Sequence, residues 1–278
     1  MLSLGARARY LLHMESVWQD DWHLARAYLA WQAELGATDA ICDAPVNRYD
    51  LPAKLTKPSA PPPAAQAAPV AAEPQVDPVA QAQAMAQAAG DLDALQAAMG
   101  AYEHCELKRG ARNLVFCDGQ PGARVMIVGE APGREEDRVG KPFVGEAGQM
   151  LDRMFAAIGM GRDTPDPARA LYITNVLPWR PPQNRDPSTE ERAMMRPFVL
   201  RHIELAAPDI LILMGRVSAG TVLERDVRIT KERGEWARVL GRPTIPMLHP
   251  AYLLRNPAAK REAWADLLSL QAKLRELT

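Results

Sequence analysis

The chain has 278 residues, which is enough for one large domain or for one domain with appendages. Its net charge of -1 singles out neither a nucleic-acid partner nor a membrane, and 47% hydrophobic residues allow a sizeable core. Three scattered cysteines exclude a disulfide framework. No apolar run reaches the roughly 18–20 residues of a membrane span, and the first residues lack the apolar stretch of a secretory signal. These features predict a soluble cytoplasmic protein that does not bind membranes.

The N-terminal segment, residues 1–57, contains one amphipathic pattern at residues 17–36. Its large apolar residues are Trp18, Trp22, Leu24, Tyr28, Leu29 and Trp31. This spacing predicts a helix, and Gly36 is a suitable end for it. Two interpretations remain open: the helix docks on a protein partner, or it packs back onto the main domain.

Residues 58–90 are rich in alanine and proline and contain no aromatic residue. Such a stretch cannot bury enough surface to offset the entropy lost on ordering, so the composition predicts a disordered linker. A domain over residues 91–278 follows, and Asp91 is a candidate cap for its first helix.

The domain alternates short apolar runs with helical patterns. The predicted strands are residues 124–129, 171–176, 210–215 and 244–248, and the predicted helices are residues 146–159, 188–207, 216–225 and 257–277. Ser188 and Glu191 have the spacing of a capping box. This alternation predicts an α/β domain whose parallel sheet is covered on both faces. Ligands bind such domains beyond the carboxyl ends of the strands, so the loops that follow the strands are the candidate site.

The first loop, GEAPGREEDRVGKPFVGEAGQML at residues 129–151, has neither the spacing of a phosphate-binding P-loop nor that of a dinucleotide fingerprint. Its acids, Glu135, Glu136 and Asp137, would repel a phosphate. Phe143 follows a proline and can offer an aromatic face to a planar ligand. The alternative is that Phe143 belongs to the core and the acids form a solvated face.

The second loop begins at Asn175, whose amide both donates and accepts, as reading a base edge requires. Arg180, Asn184 and Arg185 lie among prolines in a stiff polar segment suited to phosphate contacts. The alternative is a capped, proline-rich crossover without a binding role.

The loop after the last strand is HPAYLLRNP at residues 249–257. His249 precedes a proline and is therefore held rigidly. Leu253 and its apolar neighbours beside Arg255 are predicted to face solvent, where an apolar wedge next to a basic residue can unstack DNA. The alternative is a buried histidine in a loop that packs on the next helix.

Taken together, an aromatic plate, an amide reader, a rigid histidine and an apolar wedge are the parts of a base-flipping enzyme. The segments GEAPGREEDRVGKPFVGEAGQML, YITNVLPWRPPQNRDP and HPAYLLRNPAAKREAWADL closely resemble family 4 uracil-DNA glycosylases. The resemblance runs from about residue 98 to the C-terminus. It implies a three-layer α/β/α sandwich with a four-stranded parallel sheet. It also implies hydrolysis of the N-glycosidic bond of uracil in DNA, which leaves an abasic site during base excision repair.

The resemblance assigns a role to each motif residue. Phe143 would stack on the flipped uracil, Asn175 would read its edge, and His249 would hydrogen-bond the carbonyl beside the scissile bond. Gly129 and Glu135 would add backbone and side-chain contacts, and Leu253 would be the wedge.

The resemblance does not by itself assign the residue that activates water. The wider superfamily has an Asp or Asn two residues after the first glycine, where this chain has Ala131, as family 4 usually does. Glu130 is therefore our candidate for orienting water or stabilising the sugar cation, ahead of Glu135 and Asp137.

Typical family members hold a [4Fe–4S] cluster with four cysteines. The corresponding positions here are Tyr102, Cys105, Trp179 and Met195. One thiolate cannot hold such a cluster. We therefore expect no metal and no cofactor, with the other three side chains filling the volume.

Three alternatives to an active uracil-DNA glycosylase are open to this sequence. A reader of damaged bases that does not cut is disfavoured by the intact Asn175, His249 and Phe143. A glycosylase for xanthine or hypoxanthine is allowed by the acidic loop, and a nucleotide-dependent enzyme is disfavoured by the loop spacings. We expect a monomer acting on uracil-containing DNA, and we expect that deletion of residues 1–90 leaves excision intact.

Overall fold

The computed structural model describes residues 22–36 and 77–277. In the first range, helix α1 (Trp22–Glu34) is followed by a turn that ends at Gly36, whose φ of 90° suits glycine. Tyr28, Leu29 and Trp31 are exposed, and the Tyr28 and Trp31 rings lie 5.3 Å apart. The prediction of a helix is confirmed for this range. Residues 17–21 and the predicted linker up to residue 76 lie outside the described residues.

Residues 77–277 form a mixed sheet with helices on both faces. The strands are β1 Asp118–Gly119, β2 Val125–Gly129, β3 Leu171–Asn175, β4 Ile210–Met214, β5 Ala237–Val239 and β6 Arg242–Met247. The helices are α2 Pro78–Ala88, α3 Leu92–Ala101, α4 Leu107–Gly110, α5 Arg134–Val139, α6 Glu146–Ala156, α7 Thr189–Ala206, α8 Arg216–Leu223, α9 Ile229–Glu232, α10 Pro250–Arg255 and α11 Lys260–Glu276. Short 3₁₀ turns cover Pro182–Asn184 and Pro257–Ala259. None of the helices in the described ranges combines the length and apolar character needed to cross a membrane.

The strand order across the sheet is β1-β3-β2-β4-β6-β5. The four central strands are parallel and are the four predicted ones. The edge strands β1 and β5 pair antiparallel with their neighbours and were not predicted. They contain two and three residues, which is too short for an alternating pattern to stand out in the sequence.

Alternate residues of the strands enter two separate cores, as the pleat requires. In β2, Met126 and Val128 point into a core shared with α2, α3, α7 and α8. Val125 and Ile127 point into a core shared with α6, α10 and α11. Every residue of β2, β3 and β4 is buried, so the sheet is covered on both faces. The predicted α/β fold is confirmed.

Helix ends follow the local sequence signals. Ser188 Oγ accepts from the Glu191 N–H at 3.1 Å, and the Glu191 carboxylate accepts from the Ser188 N–H at 2.8 Å. Asp91 accepts from the Ala94 N–H at 2.7 Å. The capping box and the predicted Asp91 cap are therefore confirmed.

The predicted end of the linker at residue 90 is wrong. Residues 78–88 form helix α2, which Asp77 caps and whose Ala82 and Ala86 are buried against the domain. Arg201 of α7 donates two hydrogen bonds to the Ala89 carbonyl, at 3.1 and 2.8 Å. The alanines indicated low complexity in the sequence, but their small side chains let the backbone of α2 approach α7 closely. Helix α2 therefore belongs to the folded domain.

Candidate functional site

The site is built around the end of β2. Gly129 pairs in register with Asn175 of β3, so the two residues lie side by side at the carboxyl edge of the sheet. A Cβ on Gly129 would overlap Asn175 Oδ1 and would lie 2.5 Å from the Phe143 ring. Only glycine therefore lets the amide and the aromatic ring approach the same point. Within the described residues the Asn175 amide makes no hydrogen bond, which leaves its donor and acceptor available to a ligand.

Phe143 lies over this point with an unusual backbone. Its φ is 53°, in the left-handed region that an aromatic residue rarely adopts. The residue is 6% exposed, and its ring stacks on His249 with centroids 5.5 Å apart and planes inclined by 28°. The alternative that Phe143 is only a core residue describes its burial. The strained backbone and the contact with His249 place its ring at the site as well.

His249 follows β6 and caps α10. Its Nδ1 accepts from the Ala251 N–H at 3.1 Å, so in the neutral ring the proton is on Nε2. Burial lowers the pKa of His249 to about 4, with a further lowering by Arg255 and an opposing contribution from Glu136. At neutral pH His249 is therefore an uncharged donor with its tautomer fixed by the backbone.

Glu136 organises the first loop, a role that the sequence did not reveal. Its carboxylate accepts from the backbone N–H groups of Gly133, Val144 and Gly145 at 3.1, 2.9 and 2.8 Å. These bonds join the start of α5 to the segment after Phe143 and hold both ends of the loop together. The signal was present as an acid at the third position of a helix, but its distant partners depend on the fold.

The neighbouring acids have different surroundings. Glu135, predicted to bind uracil, is exposed on α5 and pairs with Arg138 at 2.8 Å. Asp137 is buried and accepts from the backbone N–H groups of Arg112 and Asn113 at 2.8 and 3.3 Å. The idea that all three acids form a solvated face fits Glu135 alone. Glu135 and Asp137 are both engaged with protein groups, one on the surface and one in the interior.

Glu130 is half-buried directly after Gly129. Within the described part of the chain its carboxylate forms no hydrogen bond or ion pair. Burial and the nearby Asp186 raise its pKa, while Arg216 and Arg192 act in the opposite direction. A carboxylate without a partner beside a binding point is the pattern expected of a functional acid.

The second loop is rigid, but its basic residues are partly engaged. Arg180 donates to Asn184 Oδ1 at 2.8 Å, and Asn184 has a φ of 55°. Arg185 forms a two-pronged pair with Glu191, with distances of 2.9 and 2.5 Å. Arg185 therefore fixes the loop to α7. Of the predicted phosphate-binding set, Arg180 is half-buried, whereas Asn184, Arg185 and Arg255 on α10 are exposed.

The wedge prediction for Leu253 is wrong. Residues 250–255 form helix α10 rather than an open loop, and Leu253 is 0% exposed in the core shared with α6 and α11. The adjacent Leu254 is 37% exposed. A one-residue step along a helix rotates the side chain by about 100°, which decides between core and solvent.

The third loop supplies residues that the sequence did not single out. Gly215, with a φ of 92°, lies against His249, and a Cβ there would be 3.2 Å from the His249 Cβ. The next residue, Arg216, pairs with Asp186 at 3.2 Å and lies close enough to Glu130 to affect its pKa. Gly215 thus supports the histidine, and Arg216 adds positive charge beside Glu130.

Comparison with known proteins identifies the family to which this arrangement belongs. Residues 116–268 match the model of the Uracil DNA glycosylase superfamily. The type-4 uracil-DNA glycosylase of Thermotoga maritima is 39% identical over 156 residues, which cover 55% of this chain and 77% of that protein. The chain belongs to the type-4 family of this superfamily. The type-4 enzyme of Archaeoglobus fulgidus is 35% identical over 172 residues, 58% of this chain and 82% of the relative. That of Sulfurisphaera tokodaii is 37% identical over 182 residues, with 62% and 78% covered.

The residues at the family's cluster positions do not suit an iron–sulfur cluster. Tyr102, Cys105, Trp179 and Met195 are all buried in one apolar core. Burial raises the pKa of the Cys105 thiol to about 11, opposite to the shift that a ligand thiolate needs. The Tyr102 hydroxyl donates to the Pro78 carbonyl at 2.8 Å. In the described ranges no group of three or more His, Cys, Asp or Glu side chains is arranged to hold a metal.

Proposed function

We propose that this member of the type-4 uracil-DNA glycosylase family flips uracil out of DNA and hydrolyses its N-glycosidic bond to leave an abasic site. The observation that carries the proposal is that Phe143 and Asn175 meet at Gly129 on the carboxyl edge of the sheet, with His249 stacked on the Phe143 ring. These are an aromatic face, a free amide and a neutral donor, which together match the chemistry of a flipped pyrimidine.

Recognition of the base is assigned to Asn175 and Phe143. The Asn175 amide can donate to one edge atom of uracil and accept from its N3–H, whereas cytosine presents the opposite pattern. The Phe143 ring offers the stacking face. Its backbone is fixed before the base arrives, so little ordering remains to be done on binding.

Bond cleavage is assigned to His249 and Glu130. Breaking the bond leaves negative charge on uracil and positive charge on the sugar. A fixed Nε2–H aimed at the uracil carbonyl binds more strongly as that charge develops, and such donors contribute roughly 3–4 kcal/mol. The Glu130 carboxylate, which has no partner in the described structure, can stabilise the sugar cation or orient the attacking water.

Insertion into the vacated stack is assigned to Leu254. It is the exposed leucine of α10, and Arg255 follows it directly. Since His249 caps α10, the same short helix carries the wedge and positions the catalytic donor.

We further propose that the protein carries no iron–sulfur cluster. The support is the donor set: three of the four positions have side chains without a thiolate, and all four are packed in the core. Purified protein is expected to contain iron well below one atom per chain and to lack sulfur-to-iron absorbance. Stoichiometric iron would contradict this part of the proposal. It would not bear on the excision chemistry, which the next experiment tests.

The decisive experiment is excision from a labelled oligonucleotide with a single uracil, comparing the wild type with His249→Ala, Phe143→Ala and Asn175→Asp. The wild type is expected to leave an abasic site. His249→Ala should reduce the rate by about 10²–10³-fold, the usual effect of removing such a donor. Asn175→Asp should also lose activity, because a carboxylate cannot donate to the base. Thermal unfolding of each variant separates loss of chemistry from loss of fold.

Other outcomes point to other functions. A wild type that binds uracil-containing DNA without cutting it would be a damaged-base reader. Excision of xanthine or hypoxanthine in preference to uracil would indicate altered base specificity. Unchanged excision by Asn175→Asp would remove the reading role of that residue.

A further inference from the structure

Arg162 is a buried cation next to the site. It lies between α6 and β3, and it is 8% exposed. Its guanidinium donates to the Pro142 and Phe143 carbonyls at 3.0 and 2.9 Å. It also donates to Asp152 at 2.9 Å and to Asp118 at 3.0 Å. Because its donors face the loop backbone and two carboxylates, Arg162 is satisfied without any ligand.

The segment that Arg162 holds is the strained one. Phe143 has its φ in the left-handed region, and a strained residue persists only where its surroundings determine its conformation. Two glycines permit the arrangement: a Cβ on Gly148 would overlap the Phe143 carbonyl, and one on Gly129 would meet its ring. Glycines allow the close approach but do not impose it. The Arg162 hydrogen bonds to two successive carbonyls fix the orientation of the two peptide planes that flank the Phe143 Cα.

A shared carboxylate extends this attachment by one residue. Asp118 accepts from Arg162 and also pairs with Lys141 at 3.0 Å. Burial acts to raise the pKa of Asp118, but the hydrogen bonds from Arg162 and Lys141 lower it overall. Residues 141–143 are thereby joined at three consecutive positions to one ionic cluster anchored on β1 and α6.

We propose that Arg162 is a positioning residue for base stacking, which fixes the Phe143 ring over the pocket by binding the Pro142 and Phe143 carbonyls. The proposal rests on the proposed function, because it assumes that Phe143 stacks on a flipped base. Arg162 contacts no part of the pocket that would touch the base, so it acts through Phe143. A planar guanidinium with several donors can hold two carbonyls and two carboxylates together, which a lysine cannot do.

The test is a double-mutant cycle between Arg162→Met and Phe143→Ala, read as the single-turnover rate of uracil excision. In the wild-type background Arg162→Met is expected to slow excision roughly 30-fold, because small displacements of a positioned group have effects of up to about 10²-fold. In the Phe143→Ala background it should slow excision less than about 3-fold, since the group that it positions is gone. Arg162→Lys should lie between the wild type and Arg162→Met.

A matched control distinguishes positioning from general stability. Arg233 forms a comparable ion pair with the buried Asp266 at the contact of α9 with α11, and neither residue belongs to the assigned site. Arg233→Met is expected to lower the unfolding temperature while leaving the rate at 25 °C within about twofold, as a purely structural residue should. If Arg162→Met does not fold, Arg162→Lys, which keeps the buried charge, replaces it in the cycle.

Two results would overturn the proposal. The first is that Arg162→Met slows excision by the same factor in the wild-type and Phe143→Ala backgrounds. The second is that the slower excision by Arg162→Met is explained by a lower unfolding temperature, as for the Arg233 control. Failure of the proposed function gives a different signature, since the wild type itself would not cut. In that case the preference for uracil-containing over thymine-containing DNA is measured on the same variants. The proposal then requires Arg162→Met to lower this preference in the wild-type background and to leave it unchanged in the Phe143→Ala background. A wild type without any preference for uracil-containing DNA overturns the proposal.

Discussion

At the scale of single residues, two ionisable groups in the site have pKa values shifted away from their usual ranges in opposite senses. His249 remains neutral because burial lowers its pKa to about 4, whereas burial and Asp186 raise the pKa of Glu130. The histidine is thereby suited to donate a hydrogen bond without carrying charge. The glutamate is suited to act only where the pH keeps it ionised. This division of roles follows from environment, because each group sits at the end of a strand with a different set of neighbours.

The pH dependence of excision separates these roles. Glu130 is active when ionised, so we expect the rate to fall as the pH drops through its raised pKa, above the usual range of a glutamate. His249 stays neutral down to about pH 4 and should not contribute to that acid limb. Glu130→Gln should be slower by about 10²-fold and should lose the limb. An unchanged limb in Glu130→Gln would assign it to another group. Glu135→Gln, an acid on the exposed face of α5, is the control that should keep the wild-type profile.

At the scale of elements, helix α10 separates a structural leucine from a functional one. Leu253→Ala should lower the free energy of unfolding by about 2–5 kcal/mol, because it leaves a cavity in the core. Leu254→Ala should leave stability within about 0.5 kcal/mol and slow excision from duplex DNA more than from single strands, where no base pair needs to be opened. Denaturant unfolding and excision from both substrates test this. Equal effects on both substrates would argue against a wedge at Leu254.

The same helix shows how far the sequence could lead. The four central strands, their order along the chain and, to within one residue, the positions at which they end could be predicted, because buried parallel strands are apolar runs in the sequence. The assignment that failed, Leu253, differs from the residue now assigned by one position. Sequence places a motif at the end of a strand, but the rotation of a short helix against its neighbours decides which of two adjacent side chains faces the core. Arg162 was invisible for a related reason, since its partners lie up to 44 residues away.

Helix α2 leads to a revised expectation for truncation. Deletion of residues 1–71 stops short of Asp77 and α2 and should leave excision and the unfolding temperature of the domain unchanged. Deletion of residues 1–90 also removes α2, together with the Arg201 hydrogen bonds to Ala89 and the Tyr102 bond to Pro78. This should lower stability by at least about 2 kcal/mol, from hydrogen bonds to a charged group alone. Thermal unfolding of both truncated proteins, followed by circular dichroism, provides the measurement. Equal melting temperatures would mean that α2 does not contribute to the stability of the domain.

At the scale of the whole molecule, the domain contains buried histidines that remain neutral in the folded state at physiological pH, because burial lowers their pKa values. His202 is 1% exposed, stacks on Phe116 at 4.3 Å and hydrogen-bonds the Tyr172 hydroxyl at 2.8 Å. Burial lowers its pKa to about 3. Together with His249, it makes the stability of the fold depend on the pH of the solution.

These histidines should make the fold sensitive to mild acid. A histidine whose pKa is depressed in the folded state is neutral there but protonated in the unfolded chain below about pH 6.5. Unfolding then takes up a proton, so stability is complete above pH 6.5 and falls towards the folded pKa, by on the order of 1 kcal/mol per pH unit for each such group. Urea unfolding of the wild type and His202→Gln between pH 7.5 and 5 measures this. The glutamine amide can keep the Tyr172 hydrogen bond, and the difference between the two proteins cancels all other titrating groups. The variant is expected to show a shallower dependence on pH, whatever its absolute stability. Parallel curves for the two proteins would mean that the pKa of His202 is the same in the folded and unfolded states. The burial of His202 against Phe116 opposes that result.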